Sequence, residues 1–134
     1  MMDKRIQVML IDDNGIDLFL LEKLINIRGF SHSVLKYINP IEAIEYLKTC
    51  NEQTCPDLIL LDIQMPGMDG FEFLAAFENL PKPIVDKIHI VMVSSSLNFT
   101  DNSRAKASSL VKALFLKPLS IDDLVTHLKH TNVI

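Results

Sequence analysis

Residues 57–70, with the sequence DLILLDIQMPGMDG, give the clearest indication of the architecture of this chain. Its first half is an unbroken apolar run between Asp57 and Asp62, which predicts a strand buried on both faces of a sheet. Asp69 and Gly70 then predict a turn and a helix cap, followed by a helix over residues 70–80. A buried strand, a turn and a helix are the repeating unit of parallel α/β sheets.

The same unit repeats on both sides of this stretch. The apolar runs predict strands over residues 6–11, 33–37, 57–62, 87–94 and 113–116. The longer segments between them predict helices over residues 16–28, 40–48 and 70–80, a weakly patterned fourth helix capped by Thr100 or Asp101, and a last helix over 120–129. Five strands alternating with five helices predict right-handed βαβ units and a parallel sheet covered on both faces.

The first three helices also have predicted apolar faces. These are Ile16, Leu20, Leu24 and Ile27 in the first helix, Ile41, Ile44 and Leu47 in the second, and Phe73, Leu74 and Phe77 in the third. Gly29 stands where a helix often ends. The segment Pro81-Lys82-Pro83 interrupts the pattern before the fourth strand.

Length and composition bound the class of protein. The chain has 134 residues, of which 49% are hydrophobic and 22% are charged, as in an ordinary globular domain with a real core. We expect a single domain over residues 1–134, with a core from about residue 5 to residue 130. The net charge of −4, without a basic cluster, argues against binding of nucleic acid by this chain.

The sequence carries no sign of membrane insertion. No apolar run approaches the roughly 18–20 residues that cross a bilayer. The first apolar run turns acidic at Asp12, too early for a signal peptide, so we expect a cytoplasmic protein. In a reducing compartment Cys50 and Cys55 are expected to be free thiols, because a disulfide between them would close a very small loop.

The histidines give little indication of function. His127 and His130 lie three apart on the last helix, a spacing that suits a metal, but no third ligand is in view. We therefore expect both to be solvent-exposed near the end of the helix, where polar and cationic residues are common. His32 and His89 are expected to be isolated residues at the surface or at a strand edge.

Polar side chains stand where the predicted strands stop. Asp12 and Asp13 follow the first strand, and Asp62 ends the third. Ser94 ends the fourth strand, and Lys117 follows the fifth. Ligands of open α/β sheets bind beyond the carboxyl ends of the strands, so we expect these side chains to converge on one edge.

This set of residues suits phosphoryl transfer. Three carboxylates packed together repel one another and need a cation, and oxygen ligands suit Mg²⁺. An aspartate can attack phosphorus and form an aspartyl phosphate, whose charge Mg²⁺ and Lys117 would neutralise. Each of these residues, taken singly, also has an ordinary structural interpretation. The acids could lie in a solvated turn before a helix, Lys117 could be a surface lysine, and Ser94 could be a loop residue.

The segment from residue 61 to residue 72, LDIQMPGMDGFE, resembles the phosphoacceptor segment of bacterial response regulators. The pair Asp12-Asp13, the run Val93-Ser94-Ser95 and the run Leu116-Lys117-Pro118 agree with that family in order and spacing. The resemblance covers residues 5 to 129 approximately. It implies a receiver domain of a two-component system, with a flavodoxin-like doubly wound sheet in the strand order 2-1-3-4-5.

The resemblance also implies a role for each residue. Asp62 is the expected phosphoacceptor, and Asp12 and Asp13 are expected to hold Mg²⁺ with Asp62 and the backbone carbonyl of Gln64. Ser94 matches the switch hydroxyl and Lys117 the invariant-type lysine, whose bond to the following proline is a candidate cis peptide.

The same resemblance implies partners and regulation. The expected donor is a sensor histidine kinase or a histidine phosphotransfer protein, and the downstream partner is unknown. Because no output domain follows Ile134, we expect signalling by a change of partner and only weak self-hydrolysis, not an enzyme proper. Side chains at Gln64 and Ser96 are expected to tune the lifetime of the phosphoryl group.

Three positions depart from the family pattern. The position three before Lys117 is usually aromatic and is here Leu114, while Phe115 should face the other way along a strand. Leu110-Val111 replaces the usual Gly-Ala after the fourth helix, and Ser94 stands where threonine is common. These departures affect the expected conformational readout and leave the phosphorylation chemistry intact.

Other functions remain open on the sequence. An aspartate-nucleophile, Mg²⁺-dependent phosphohydrolase usually has a second acid two residues after the nucleophile, where this chain has Gln64. A flavodoxin-like electron carrier would need a Ser/Thr/Gly-rich phosphate loop after the first strand, where Asp12 and Asp13 would repel a flavin phosphate. A vestigial receiver that acts as a non-phosphorylated interaction module would have no need of five matching groups.

Overall fold

The computed structural model describes residues 5–95 and 98–134 of the chain, and within them it contains five strands and six helices. The strands are β1 (Ile6–Ile11), β2 (Ser31–Tyr37), β3 (Leu58–Asp62), β4 (His89–Ser94) and β5 (Val111–Leu116). The helices are α1 (Gly15–Arg28), α2 (Pro40–Thr49), α3 (Gly70–Glu78), α4 (Lys82–Lys87), α5 (Phe99–Ala107) and α6 (Ile121–His130). All neighbouring strands are parallel in the order β2-β1-β3-β4-β5, which confirms the predicted flavodoxin-like fold.

Each face of the sheet buries its own apolar layer. Successive side chains of a strand point to opposite faces, so Met9 and Ile11 lie in a cluster with residues of α2 and α3. Val8 and Leu10 lie in a second cluster with residues of α1 and α6. Both β1 and β3 are buried along their whole length, as expected for central strands of a sheet covered on both faces.

The short helix α4 was not predicted from the sequence. Pro81 precedes it and its carbonyl accepts hydrogen bonds from the backbone N–H groups of Ile84 and Val85. Pro83 lies in the first turn of α4, where proline is tolerated because the N–H it lacks would have no helical partner. The predicted start of the fourth strand at residue 87 was therefore wrong, because α4 ends at Lys87 and β4 begins at His89.

Other element ends moved less. β2 and β5 each begin two residues before the predicted positions. The cap of α5 is Asn98, whose side chain accepts from the backbone N–H of Asp101, instead of Thr100 or Asp101. The predicted end of α1 before Gly29 is confirmed, since Gly29 is its C-cap with φ 73°. The predicted start of the last helix at Ser120 is also confirmed, since Ser120 is the N-cap of α6.

The packed face of α1 differs from the predicted one. The buried residues of this helix are Leu18 and Ile25. Apolar residues of α1 itself occur on nearly every side of the helix. Their spacing along the sequence therefore does not identify the side that packs on the sheet. The predicted face of α1 is exposed, at 71% for Ile16, 52% for Leu20, 38% for Leu24 and 79% for Ile27.

No helix in the described ranges, α1 included, has the length and apolarity that a membrane crossing requires.

The faces of α2 and α3 follow the prediction more closely. Ile44 and Leu47 of α2 are buried, whereas Ile41 in its first turn is exposed. In α3 the three predicted inward residues, Phe73, Leu74 and Phe77, are all buried.

Cys50 and Cys55 form a disulfide, so the prediction of free thiols was wrong. The intervening residues fold back on themselves: the backbone N–H of Asn51 donates to Thr54 Oγ1, and that of Cys55 donates to the carbonyl of Asn51. This turn brings the two Cα atoms to 5.1 Å, within the range that a disulfide bridges. The small loop is thus already closed by its own hydrogen bonds.

Two of the four histidines are also placed differently from the prediction. His127 was expected to be exposed and His89 to be isolated, but their Nε2 atoms lie 2.9 Å apart and neither residue is fully exposed. The two residues are 38 positions apart and come from α6 and β4, so no local pattern pairs them. His130 and His32 are exposed, as predicted.

The turn between β3 and α3 depends on Gly70. The backbone N–H of Gly70 donates to the carbonyl of Ile63 at 2.7 Å. A Cβ atom at residue 70 would lie 2.8 Å from the carbonyl oxygen of Asp62 and 2.9 Å from Cα of Ile63. Asp69 and Glu72 complete a capping box at the same place, so the helix start is held against the end of β3.

We expect Gly70→Ala to destabilise the protein by about 1–3 kcal/mol, because the added methyl group meets backbone that cannot move freely. Urea unfolding measures the change. Gly15→Ala is the matched control, since residue 15 is also the first residue of a helix, but a Cβ atom added there would meet no described atom within 4 Å. It should be neutral or slightly stabilising. Equal losses in the two variants would contradict the close approach at residue 70.

Candidate functional site

Three aspartates meet at the carboxyl edge of the sheet. Asp12 follows β1 and Asp62 ends β3, and these strands are hydrogen-bonded neighbours with Ile11 opposite Leu61. One carboxylate oxygen of each of Asp12, Asp13 and Asp62 lies within 4.8 Å of the others. Asp12 and Asp62 are buried, with 8% and 6% exposure, while Asp13 is exposed.

The ammonium group of Lys117 lies among these acids. Its Nζ atom is 2.7 Å from Asp12 Oδ2 and 3.6 Å from Asp62 Oδ2. The backbone N–H of Lys117 donates to the carbonyl of Ser94, which joins the end of β5 to the end of β4. The following Lys117–Pro118 bond is cis, as predicted.

Sequence reasoning missed Asp17, a third partner of this lysine. Its Oδ2 atom accepts a hydrogen bond from Lys117 Nζ at 3.1 Å. Asp17 lies in the first turn of α1, which begins three residues after Asp12, so its side chain returns to the same edge of the sheet. An acid in the first turn of the helix after the first strand was the available signal.

The electrostatics of the cluster favour a cation. Burial, and then the negative charge of Asp12, raise the pKa of Asp62 to about 7, although the charge of Lys117 opposes the rise. Burial lowers the pKa of Lys117, but its hydrogen bonds to Asp12 and Asp17 outweigh burial and raise it above the usual value. The carboxylates of Asp12, Asp13 and Asp62 carry more negative charge than the single ammonium group of Lys117 balances. Their oxygen atoms are the ligands that Mg²⁺ prefers.

The raised pKa of Asp62 predicts a pH dependence of stability in the metal-free protein. Between the unfolded value of 3.8 and the folded value of about 7, the folded state binds more protons than the unfolded state. The resulting stabilisation is complete below pH 3.8 and is lost as the pH rises through about 7. From pH 8 to pH 5, wild type should gain roughly 2–3 kcal/mol relative to Asp62→Asn, which lacks the titrating group.

Urea unfolding in EDTA at the two pH values measures this difference. The lowered pKa of His89 acts with the opposite sign, but it is common to both proteins and cancels in the comparison. Addition of Mg²⁺ at pH 8 should stabilise wild type more than the variant. A difference between the two proteins that stays constant from pH 5 to pH 8 would refute the raised pKa.

Ser94 and Gln64 also lie at this edge of the sheet. Ser94 ends β4 and is 1% exposed, one residue beyond Val93, which pairs with Asp62. Gln64 is exposed in the loop that follows β3. Ser96, which was predicted to flank the site, lies outside the described residues. The chemical roles of these residues and of the acids stay predictions.

The two positions of the expected switch point to opposite faces of β5. Leu114 packs against the cluster that contains α2 and α3, and Phe115 packs against the cluster that contains α1 and α6. The ring of Phe115 meets the ring of His127 edge-on, with centroids 6.1 Å apart. The aromatic group is thus on the side away from α5, whose Ala105 lies in the first cluster.

Comparison with known proteins identifies relatives along almost the whole chain. A family model described as "Response regulator receiver domain" matches residues 8–129. A response regulator receiver protein from Dyadobacter fermentans DSM 18053 is 34% identical, with a TM-score of 0.84 over 92% of this chain and 95% of that one. A two component response regulator from Cytophaga hutchinsonii is 30% identical, with a TM-score of 0.86 over 97% and 98%.

The curated relatives are much longer than this chain. Sensor histidine kinase CheAY of Helicobacter pylori is 32% identical in an alignment that covers 92% of this chain and 15% of that protein. Hybrid signal transduction histidine kinase B of Dictyostelium discoideum is 32% identical in an alignment that covers 94% of this chain and 7% of that protein. The chain therefore corresponds to one segment of each of these relatives.

Proposed function

We propose, since this chain belongs to the response regulator receiver domain family, that it accepts a phosphoryl group on Asp62 and changes its binding partners as a result. The observation that carries the proposal is the position of the buried Asp62 carboxylate, 3.6 Å from Lys117 Nζ and beside Asp12 and Asp13. A nucleophile with a fixed cation next to it suits a reaction in which positioning and charge supply most of the rate.

The proposed step forms one bond and breaks one bond. A carboxylate oxygen of Asp62 attacks the phosphorus atom of a phosphohistidine, the phosphorus–nitrogen bond breaks, and the imidazole leaves with the bonding electron pair. Lys117 contributes positive charge next to the phosphoryl oxygens as negative charge spreads over them. Ser94, buried at the end of the neighbouring strand, is the proposed hydrogen-bond donor to one of those oxygens.

We assign Mg²⁺ to the carboxylates of Asp12, Asp13 and Asp62 and to the backbone carbonyl of Gln64. When bound there, the ion supplies charge neutralisation for the acids and for the phosphoryl oxygens. The closeness of the oxygen atoms of the three acids supports this assignment. The raised pKa of Asp62 supports it too, because Lys117 alone does not offset burial and the charge of Asp12.

The proposed donor is a sensor histidine kinase or a histidine phosphotransfer protein. An apolar groove runs from Asp62 between α1 and the segment after β5, where Leu20, Leu24, Pro118 and Leu119 line it. The exposed apolar side chains of α1 continue this surface away from the acids. Such a surface beside the acceptor suits the docking of a helical donor protein, and two relatives bear the name of histidine kinases.

The remaining assignments follow from the same chemistry. We infer slow self-hydrolysis of the aspartyl phosphate instead of turnover of a separate substrate, because Gln64 occupies the place of the second acid of phosphohydrolases. Residues 1–134 are proposed to act as one receiver domain in the cytoplasm, where phosphohistidine donors are made. The Cys50–Cys55 disulfide is unusual for that compartment.

Intact-mass spectrometry tests the proposal directly. Incubation with acetyl phosphate and Mg²⁺ should add a single phosphoryl group, and a phosphorylated histidine kinase should add the same group faster. Chelation of Mg²⁺ by EDTA should prevent both reactions. A protein that takes up no phosphoryl group from either donor would instead be an interaction module with a vestigial site.

A further inference from the structure

Asp17 is a partner of Lys117 to which the proposed chemistry gives no role. Lys117 Nζ donates to Asp12 Oδ2 at 2.7 Å and to Asp17 Oδ2 at 3.1 Å, and it lies 3.6 Å from Asp62 Oδ2. An ammonium group has three N–H donors. The two hydrogen bonds therefore use two of these donors and leave one for a group beside Asp62.

Asn14 ties together the two acids that accept from this lysine. The backbone N–H of Asn14 donates to Asp12 Oδ1 at 2.9 Å, and Asn14 Oδ1 accepts from the backbone N–H of Asp17 at 3.1 Å. Asn14 is also the N-cap of α1, so the same contacts fix the first turn of that helix. Asp12 and Asp17 thus belong to one short segment held by its own hydrogen bonds.

Asp17 differs from the other acids around Lys117 in what it is needed for. In the proposed function Asp62 takes the phosphoryl group, and Asp12 is assigned to Mg²⁺ as well as to the lysine. Asp17 lies outside the group of three acids whose oxygen atoms are within 4.8 Å of one another. It is therefore the acceptor that stays with Lys117 when the ion draws on the carboxylate of Asp12.

A second acceptor matters because lysine is a flexible side chain. Its ammonium group stands on a four-carbon chain that has many rotamers, and fixing one of them costs conformational entropy. With Asp17 removed, Asp12 alone would hold the ammonium group, which would then spend less time next to Asp62. A charge that is out of place by a small distance loses much of its effect on a reaction.

We propose that Asp17 is a positioning residue for phosphoryl uptake, and that it holds the ammonium group of Lys117 beside Asp62 while Asp12 serves the metal. This inference rests on the proposed receiver function, since it concerns the rate of the same step. Asp17 forms no bond to the phosphoryl group and acts only through Lys117.

A purely structural role for Asp17 makes a different prediction. An acid in the first turn of a helix interacts favourably with the helix dipole, so its removal would weaken α1 without any dependence on Lys117. Asp123 is the matched control for this role. It is an exposed acid in the first turn of α6, and it is not among the ion-pair partners of Lys117.

A double-mutant cycle with Lys117→Ala tests the proposal, with acetyl phosphate as donor and Mg²⁺ at saturation. Asp17→Ala should slow phosphoryl uptake by about three- to tenfold, a moderate coupling for a contact that is partly exposed. Asp123→Ala should react at the wild-type rate, and Asp17→Ala should cause no further slowing in the Lys117→Ala background. An unchanged rate in Asp17→Ala, an equal loss in Asp123→Ala, or the same loss with and without Lys117 would overturn the proposal.

A phosphorylated histidine kinase as donor gives a second comparison. Asp17 also lines the apolar groove, with Leu20 and Pro118, where the donor protein is proposed to dock. If Asp17 acts through Lys117, Asp17→Ala should slow uptake from the kinase and from acetyl phosphate by the same factor. A loss that occurs only with the kinase would make Asp17 a docking contact and would refute the positioning role.

A third measurement needs no phosphoryl transfer. In the metal-free protein, the ¹⁵N order parameter of the Lys117 ammonium group should fall in Asp17→Ala and keep its wild-type value in Asp123→Ala. A wild-type order parameter in Asp17→Ala would count against the proposal whatever the rates are. Wild-type protein that takes up no phosphoryl group would refute the receiver function and this inference together, whereas normal uptake by both wild type and Asp17→Ala would refute this inference alone.

Discussion

Asp62→Asn is expected to take up no phosphoryl group from acetyl phosphate or from a phosphorylated kinase. The asparagine side chain has nearly the same shape as aspartate but has no carboxylate oxygen to attack phosphorus. The variant should fold, because the change removes a buried carboxyl group that is costly to ionise. Burial and the charge of Asp12 raise the pKa of that group to about 7. Intact mass after incubation with each donor measures the loss, and circular dichroism confirms the fold.

Asp69→Asn is the matched control for this experiment. Asp69 lies in the same loop and caps α3 through the backbone N–H of Glu72, and asparagine caps helices equally well. The control should accept one phosphoryl group as wild type does. Uptake by Asp62→Asn would place the acceptor at another residue, and loss of uptake in both variants would point to a disturbed loop.

Lys117→Ala is expected to slow phosphoryl uptake by about 10²–10³-fold, the usual effect of removing one preorganised partner of developing negative charge. Affinity for Mg²⁺ should be kept or rise, because Lys117 Nζ lies 2.7 Å from Asp12 Oδ2 and competes with the ion for that carboxylate. Initial rates at saturating Mg²⁺ and a separate Mg²⁺ titration distinguish the two effects.

Lys112→Ala provides the comparison, since Lys112 is an exposed lysine on the same strand, β5. Its Nζ donates to the carbonyl of Ser109, remote from the acids in the fold, so uptake should be unchanged. A Lys117→Ala variant that loses Mg²⁺ binding and uptake together would assign Lys117 to the structure of the site. A variant that reacts at the wild-type rate would remove the lysine from the mechanism.

Much of the fold was predictable because local patterns carry it. The apolar run from Leu58 to Leu61 indicated a central strand, and that strand is buried throughout. Asp69 and Ser120, whose positions predicted caps, do cap the helices that follow them, because a side-chain oxygen there can satisfy free backbone N–H groups. The strand order followed from the family resemblance and is confirmed.

The candidate site was predictable for a related reason. Parallel strands bring their carboxyl ends to one edge, so polar residues at those ends had to become neighbours. The structure places the carboxylates of Asp12, Asp13 and Asp62 together with Lys117 Nζ at that edge. Asp17 was missed because it lies inside a helix, where position along the chain does not reveal that the first turn faces Lys117.

Local patterns were enough to predict the strands, most helix ends and the acids at the edge of the sheet, because these features depend on residues within a few positions of one another. Tertiary structure decided which side of α1 packs, since nearly every side of that helix is apolar. It also decided the pairing of Lys117 with Asp17 and of His89 with His127, which are 100 and 38 positions apart. Such contacts exist only once separate elements pack, so no local periodicity encodes them.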